Sequence, residues 1–340
     1  MSRPGRLAGR SQEHEARVVE AALRSLSGGH GTLLVIGDPT GRMAPALAQR
    51  GWQPRTWSRW CRGEVPGTPW PAEGQVDAAT VRLPKARAAY LMALHAAASR
   101  VRPGGEIYVY GANDEGIRSA LGPLQALVPE AHTADIRGHG RVLLALRPAE
   151  LPGLVDTLDG WRRDVDLILP SGTYRWSVWP GLFSKGGLDA ATARLLEVMP
   201  PPAAGDSVLD FGCGAGVISV ELHAAAPDAA YTALDADTLA VEAARRNAPF
   251  ATVIASDGLT ALGGQRFSRI VSNPPFHQGK AEDFQVMSDL ARQAPAHLLP
   301  GGSLWVVVPR QVPIEGILGP AFRQVTVHHA DGRFQVVEAR

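Results

Sequence analysis

The stretch SVLDFGCGAGVISVEL, residues 207–222, contains the pattern that decides the fold. An apolar run leads into a turn with three glycines, and a helical pattern of apolar residues starts directly after that turn. A strand, a glycine turn and a helix in this order are typical of α/β proteins with a parallel sheet. The glycines let the chain bend tightly and let a ligand approach the N–H groups at the start of the helix.

The same order of elements occurs earlier, in TLLVIGDPTGRMAPAL at residues 32–47. Two further pairs of segments repeat in the same order: VRPGGEIYVYG (101–111) with LLPGGSLWVVVP (298–309), and HGRVLLALR (139–147) with DGRFQVVEAR (331–340). A chain of 340 residues also exceeds the usual size of one domain. The sequence therefore predicts two tandem Rossmann-like α/β domains with doubly wound, mostly parallel sheets, at residues 1–160 and 161–340.

A hairpin is predicted at the entry to the second domain. The apolar segments VDLIL (165–169) and YRWSVW (174–179) flank a turn that contains Pro170, Ser171 and Gly172. Two short strands separated by such turn formers are typical of an antiparallel pair.

Composition excludes several classes of protein. Hydrophobic residues make up 45% of the chain and charged residues 20%, as in ordinary soluble globular proteins. No apolar run approaches the ~18 residues of a membrane span. The two cysteines, Cys61 and Cys213, lie in different halves, so a disulfide framework is not indicated. We therefore expect a cytoplasmic, monomeric protein that does not enter a membrane.

The net charge of +1 conceals a difference between the two halves. Residues 1–160 contain 19 Lys and Arg against 15 Asp and Glu, whereas residues 161–340 contain 15 against 18. A polyanionic partner is therefore expected to meet the first half first.

Acidic residues mark the ends of three consecutive predicted strands. Asp210 precedes the glycines, Asp235 ends the strand YTALD, and Asp257 follows the strand ATVIA. At the carboxyl edge of a doubly wound sheet, we expect Asp235 to accept the hydroxyls of a ribose and Asp257 to accept a hydrogen bond from an adenine amino group. The alternatives are that Asp235 or Asp237 caps the next helix and that Asp257 lies in a solvated turn. We assign Asp235 to the ribose and Asp237 to the cap.

The acidic residue before the glycines also indicates the charge of the ligand. The loop lacks the Lys-Ser/Thr ending of a triphosphate site, and Asp210 would repel a pyrophosphate and attract a cation. S-adenosyl-L-methionine carries an ammonium and a sulfonium group, so it fits where a dinucleotide does not. The alternative is that the glycines only permit close helix packing. Phe183 precedes the cofactor domain in a Gly-rich segment that would cover the methionine end of the cofactor as a lid; the alternative is that this segment is an ordinary connection. The predicted cofactor-binding residues are Asp210, Gly212, Cys213, Gly214, Gly216, Asp235, Ala236, Ser256, Asp257, Gly258 and Phe183.

The segment SNPPF, residues 272–276, follows a fourth predicted strand and supplies the candidate catalytic residues. The Asn273 side-chain oxygen and the Pro274 carbonyl would accept both hydrogens of a planar exocyclic amine, whose lone pair would then point at the methyl donor. Pro275 stiffens the loop, and Phe276 would stack on the base. The alternative, a plain turn, becomes less favoured because the loop follows the glycine turn and the acidic residues in the expected order. The ten histidines show no metal-binding spacing, so no metal site is predicted.

Four segments resemble the ribosomal small subunit methyltransferase C family, whose members methylate the N2 amine of a guanine in 16S ribosomal RNA. They are LDFGCGAGVISVEL, SNPPFHQG, WPGLFSKGGLD and GRFQVVEAR. The resemblance implies two tandem class I methyltransferase-like domains, of which only the second binds S-adenosylmethionine, and 16S ribosomal RNA or the small subunit as partner.

The first domain is predicted to be a degenerate copy. VRLPKA (81–86) stands where the second half has VSNPPF, and GDPTG replaces GCGAG, so neither the asparagine nor the phenylalanine is retained. We expect this domain to support folding or to dock RNA. The segment GWQPRTWSRWCRG (51–63) interleaves tryptophans with arginines, which suits RNA contact, although it must also supply a strand.

The residues alone leave other functions open. The same loop chemistry serves other planar amino groups, in 23S ribosomal RNA guanine, DNA adenine or protein glutamine. A non-catalytic RNA-binding assembly factor would also retain the fold, although the intact Asn273, Pro274, Pro275 and Asp210 count against it.

Overall fold

A computed structural model describes residues 5–26, 28–38, 40–137, 140–182, 187–275 and 281–340. The chain forms two compact units. Unit 1 comprises Met1–Ser58 and Trp70–Arg162, and unit 2 comprises Arg59–Pro69 and Arg163–Arg340. Residues 59–69, which the sequence placed in the first domain, are therefore part of the second unit.

Unit 1 is a six-stranded sheet with helices on its faces. Its elements are α1 (Gly5–Ser25), β1 (Gly31–Ile36), α2 (Met43–Ala48), β2 (Trp52–Trp57), β3 (Val76–Arg82), α3 (Arg87–Arg100), β4 (Val101–Ala112), α4 (Ile117–Leu127), β5 (His132–Arg137) and β6 (Gly140–Leu146). The strand order is β2-β1-β3-β4-β6-β5. Strands β2, β1, β3 and β4 are parallel to one another, and β6 is antiparallel to both β4 and β5.

Unit 2 contains a seven-stranded sheet and a separate hairpin. Its elements are β7 (Arg163–Leu169), β8 (Gly172–Val178), α5 (Ala190–Val198), β9 (Ser207–Phe211), α6 (Val217–Ala225), β10 (Ala230–Asp235), α7 (Thr238–Asn247), β11 (Thr252–Ala255), β12 (Phe267–Ser272), α8 (Ala281–Gln293), β13 (Leu298–Pro309), α9 (Ile314–Leu318), β14 (Val325–Ala330) and β15 (Phe334–Ala339). The order is β11-β10-β9-β12-β13-β15-β14. The predicted hairpin is confirmed, since β7 and β8 form an antiparallel pair.

The two sheets share one topology, as the sequence repeats predicted. Strands β1, β2, β3, β4, β5 and β6 hold the positions of β9, β10, β12, β13, β14 and β15. Unit 1 lacks the counterparts of α7 and β11. Residues 58–75, between β2 and β3, form no helix or strand in their place. The first copy is therefore degenerate in architecture as well as in its loops.

The sheet of unit 2 is buried on both faces, which explains its continuous apolar strands. Because side chains alternate along a strand, Leu209 and Ile270 pack in one core, whereas Val208 and Val271 pack in the other. Trp305 fills the second core with 2% of its surface exposed. Both faces are covered, so the carboxyl edge of the strands is the place where a ligand can reach the sheet.

Among the residues that the structure describes, no helix combines the length and the apolar character that crossing a membrane requires.

Candidate active site

The predicted site residues follow the carboxyl ends of four neighbouring strands of unit 2. The register pairs Phe211 with Leu234 on one side and with Ser272 on the other, and it pairs Asp235 with Ala255. The glycine loop, the Asp235 loop, the Ser256 loop and the Asn273 loop therefore leave the sheet at the same edge. Sequence reasoning placed these four loops correctly because each follows an apolar strand.

The glycines of the loop have two different roles. Gly212, Gly214 and Gly216 have φ angles of 70°, 54° and 93°, in the left-handed region that favours glycine. A Cβ at Gly212 or Gly214 would meet nothing within 4 Å, whereas a Cβ at Gly216 would lie 3.5 Å from Ala244 of α7. Close helix packing thus explains Gly216, while the other two glycines face open space that a ligand can fill.

Asp210 is a buried carboxyl group with one oxygen free. Its side chain is in the core, with 1% of the residue exposed. Oδ2 accepts hydrogen bonds from the Ser219 N–H at 3.1 Å and the Ser219 hydroxyl at 2.7 Å, whereas Oδ1 has no partner among the described residues. Burial raises the pKa of Asp210 to about 7, against the lowering effect of the bonds from Ser219. An unpaired oxygen of this kind suits a cation, as expected for an ammonium group.

Asp235 joins the end of β10 to the glycine loop. Its Oδ2 accepts from the Gly214 N–H at 2.9 Å, and its Oδ1 accepts from the Asp237 N–H at 2.9 Å. Burial raises the pKa of Asp235, although these backbone bonds oppose the shift. Each carboxylate oxygen can accept more than one hydrogen bond, so capacity is left for a ribose. That role stays a prediction.

Asp237 caps α7, as predicted. Its Oδ1 accepts from the Leu239 N–H at 3.1 Å, and its Oδ2 lies 2.8 Å from Nη2 of Arg59. Burial raises the pKa of Asp237 to about 6, and the Arg59 guanidinium opposes the shift.

The loop after β11 contains one structural and one exposed polar residue. The Ser256 N–H donates to the Asp235 carbonyl at 3.0 Å, and its hydroxyl accepts from the Ala261 N–H at 3.1 Å. Asp257 is exposed, and its Oδ2 accepts from the Gly63 N–H at 2.8 Å. Gly258 has a φ of 61°. The hydroxyl of Ser256 thus fastens the turn, and the role of Asp257 toward adenine stays a prediction.

Cys213 and Ala236 each form a backbone hydrogen bond in these loops. The Cys213 N–H donates to the Leu234 carbonyl at 3.0 Å, and burial raises the pKa of its thiol well above the usual value. The thiol is therefore not activated as a nucleophile. The Ala236 carbonyl accepts from the Cys61 N–H at 2.8 Å.

The Asn273 amide has one fixed orientation. Its Nδ2 donates to Asp189 Oδ2 at 3.0 Å and to Thr192 Oγ1 at 2.9 Å. Asp189 also caps α5, since the same oxygen accepts from the N–H groups of Ala191 and Thr192. Because an amide carries oxygen and nitrogen on opposite sides, holding Nδ2 fixes the direction of Oδ1.

Sequence reasoning missed Asp189 and Thr192. The signal available was an acidic cap before the helix ATARLLEV, but nothing in the sequence connected that cap with a loop about eighty residues away. Pro274 is buried and Pro275 is exposed. The predicted residues Phe276 and Phe183 lie outside the described residues.

Among its described residues, unit 1 has no counterpart of the side-chain acceptor of Asn273. Leu83, which is buried, stands at the position of Asn273, and the preceding Arg82 is paired with Glu15 at 2.9 Å and Glu115 at 2.7 Å. An apolar side chain and a closed ion-pair cluster cannot accept the hydrogens of an amine. Within the described part of the chain, no group of three His, Cys, Asp or Glu side chains is arranged to hold a metal ion.

Two protein families match this chain and define the class of protein. The methyltransferase small domain family matches residues 174–338, and the methyltransferase small domain N-terminal family matches residues 29–142. With the doubly wound sheet, the open glycine loop and the unpaired Asp210 oxygen, these matches define a methyltransferase of two Rossmann-like domains that uses S-adenosylmethionine.

The particular family follows from the relatives. Ribosomal RNA small subunit methyltransferase C of Hahella chejuensis is 32% identical over 94% of this chain and 97% of its own length, and that of Pseudomonas entomophila is 35% identical over 88% and 93%. The chain belongs to the ribosomal RNA small subunit methyltransferase C family.

One solved structure is similar to the structure of this protein over nearly the whole chain. The 16S rRNA N2 G1207 methyltransferase of T. thermophilus, in complex with AdoMet and guanosine, has a TM-score of 0.80 and 25% identity, and the match covers 95% of this chain and 91% of that one.

Proposed function

We propose that this chain transfers a methyl group from S-adenosylmethionine to the exocyclic N2 amine of a guanine in 16S ribosomal RNA. The T. thermophilus relative carries this activity in its name and was solved with a guanosine. The observation that carries the proposal is the Asn273 amide, whose nitrogen is held by two acceptors at the start of α5.

The fixed amide answers the main chemical difficulty of the reaction. The lone pair of an exocyclic amine is delocalised into the base, so the free amine is a poor nucleophile. Asn273 Oδ1 and the Pro274 carbonyl would each accept one amine hydrogen, which localises the lone pair and directs it along one line. The buried Pro274 restricts the loop, so little conformational entropy is lost when the base binds.

S-adenosylmethionine supplies the electrophilic methyl group in this reaction. The C–S bond breaks as the N–C bond forms, S-adenosylhomocysteine is the second product, and the methylated amine loses its proton to water. A strong general base is therefore not required of the protein. The work of the chain is to hold and to align the amine.

Residues of the carboxyl edge would hold the methyl donor. The free Oδ1 of Asp210 suits its ammonium group, Asp235 suits the ribose and Asp257 suits the adenine amino group. Gly212 and Gly214 leave the space beside their backbone that such a ligand needs. Unit 1, with its excess of basic residues and its closed counterpart site, would dock the RNA or support folding.

The proposal is tested with labelled S-adenosylmethionine and three substrates: free 16S RNA, assembled small subunits and 23S RNA. We expect label in a 16S species, mapped to N2 of one guanine. Label in 23S RNA alone, or in none of the three, would refute the 16S assignment.

Asn273→Ala tests the mechanism in the same assay. It should lower kcat about a hundredfold or more, because the amine loses one of its two acceptors. The affinity for S-adenosylmethionine, measured by calorimetry, should be nearly unchanged. Loss of cofactor binding with unchanged kcat at saturation would contradict the proposed role.

A further inference from the structure

Residues 59–69, here called the arm, belong to unit 2 although the rest of that unit begins about a hundred residues later in the chain. They lie in the connection between β2 and β3, where unit 1 lacks the counterparts of α7 and β11, yet they belong to unit 2. The arm is folded back on itself. Arg62 and Val65 exchange two backbone hydrogen bonds, and a Cβ at Gly67 would lie 2.8 Å from the backbone of Arg59 and Trp60.

The arm pairs with the backbone that follows Asp235. The Cys61 N–H donates to the Ala236 carbonyl at 2.8 Å, and the Thr238 N–H donates to the Arg59 carbonyl at 2.9 Å. The Thr238 hydroxyl donates to the same carbonyl at 2.6 Å. The arm therefore pairs in an antiparallel manner with the residues that follow β10. These hydrogen bonds satisfy the backbone polar groups of the turn into α7.

A buried ion pair fixes this contact. Arg59 Nη2 lies 2.8 Å from Asp237 Oδ2, and the two side chains are 17% and 7% exposed. The Asp237 N–H in turn donates to Oδ1 of Asp235. Removing the guanidinium leaves a buried carboxylate unpaired, next to the carboxylate assigned to the ribose.

The arm also contacts the second loop assigned to the adenosine. The Gly63 N–H donates to Asp257 Oδ2 at 2.8 Å. Asp257 is otherwise an exposed side chain, so this bond restricts its carboxylate and leaves Oδ1 for another donor. One short segment thus fastens both loops that carry the adenosine assignments.

We propose that the arm is part of the adenosine-binding site: Arg59 and Gly63 are positioning residues that hold the Asp235 and Asp257 carboxylates for the ribose and the adenine of the methyl donor. The inference rests on the proposed use of S-adenosylmethionine. The arm lies where unit 1 lacks the counterparts of α7 and β11, and the inference gives the arm a function in unit 2.

The test compares Arg59→Gln with the wild type by calorimetry on the full chain. S-adenosylmethionine and 5′-methylthioadenosine, which lacks the amino-acid end, should both bind about tenfold more weakly, since a hydrogen bond between charged groups is lost. The kcat at saturating cofactor should change little, and Arg59→Lys should restore most of the affinity.

Arg175→Gln is the matched control, because Arg175 also pairs with an aspartate in unit 2 but both side chains are exposed. It should leave both affinities unchanged. Thr238→Val removes the hydroxyl that donates to the Arg59 carbonyl and keeps the shape of the side chain, so it should weaken the binding of both ligands.

The outcomes separate the two proposals. If the wild type does not bind S-adenosylmethionine, the proposed function fails. If the wild type binds it and both Arg59→Gln and Thr238→Val bind as tightly as the wild type, or if only the binding of S-adenosylmethionine and not that of 5′-methylthioadenosine weakens, the inference about the arm is wrong. If Arg59→Gln does not fold, the result with Thr238→Val decides.

Discussion

Asp210 shows at the scale of one residue how the proposed cofactor site opposes the stability of the fold. Its carboxyl group is buried, bonded through one oxygen to Ser219 and unpaired at the other. A buried carboxylate without a counter-ion is costly, which is the reason its pKa is raised to about 7. A cation bound at Oδ1 would remove that cost. Binding of the ligand would therefore stabilise the folded protein.

The raised pKa of Asp210 makes the stability of the free protein depend on pH. Because the folded pKa of about 7 lies above the unfolded value of about 3.9, the folded state binds more protons between these pH values. The stabilising contribution of protonated Asp210 is complete below about pH 4 and is lost as the pH rises through about 7. The Tm of the wild type should therefore fall relative to that of Asp210→Asn as the pH rises from 5 to 8.

The measurement is thermal unfolding of both proteins at pH 5, 6, 7 and 8. Adding S-adenosylmethionine should remove the difference for the wild type and have little effect on Asp210→Asn. A Tm difference that is constant with pH would show that Asp210 does not titrate in this range.

At the scale of elements, the start of α5 acts as a support for the loop after β12. Asp189 caps the helix and accepts from Asn273, and Thr192 in its first turn accepts from the same amide nitrogen. The hydroxyl of Thr192 therefore contributes to the orientation of the amide, and under the proposed mechanism it acts on the reaction only through Asn273.

Thr192→Val tests this support, because the substitution keeps the shape of a buried side chain and removes its acceptor. We expect kcat to fall about tenfold, the value of one hydrogen bond, with the affinity for S-adenosylmethionine unchanged. Thr192→Ser, which retains a hydroxyl, should keep most of the activity. Equal kcat values for the valine and serine variants would contradict the role.

At the scale of the whole molecule, the two units share one strand order and differ in the residues that follow the corresponding strands. In unit 1 the position of Asn273 is taken by Leu83, and Arg82 is bonded to two glutamates. Asp38, in the loop that corresponds to the glycine loop, accepts a hydrogen bond through Oδ2 from the N–H of Met43, the first residue of α2, at 2.8 Å. Its carboxylate is thus occupied by its own helix.

We therefore expect one S-adenosylmethionine per chain. Calorimetric titration of the wild type should give a stoichiometry of one, and Asp210→Lys should abolish it, because a cation then occupies the place of the ammonium. A second equivalent in the wild type, or binding that persists in the variant, would place a working cofactor site in unit 1.

Much of the fold could be predicted because its signals are local. The strands, the glycine turn, the hairpin at Pro170 to Gly172 and the helix cap by Asp237 each depend on neighbouring residues. The order of the loops after β9, β10, β11 and β12 follows from the parallel topology, so sequence also gave their common edge.

The remaining parts depend on long-range contacts that spacing does not reveal. Asn273 meets Asp189 and Thr192 across 84 and 81 residues, and Arg59 meets Asp237 across 178. The sequence by itself determined two α/β copies, one with the chemistry of a methyl transfer and one without it, because backbone and apolar periodicity are local properties. Only the tertiary structure decided which way the amide of Asn273 is held, and that residues 59–69 belong to the second unit, because contacts between segments far apart in the chain determine both.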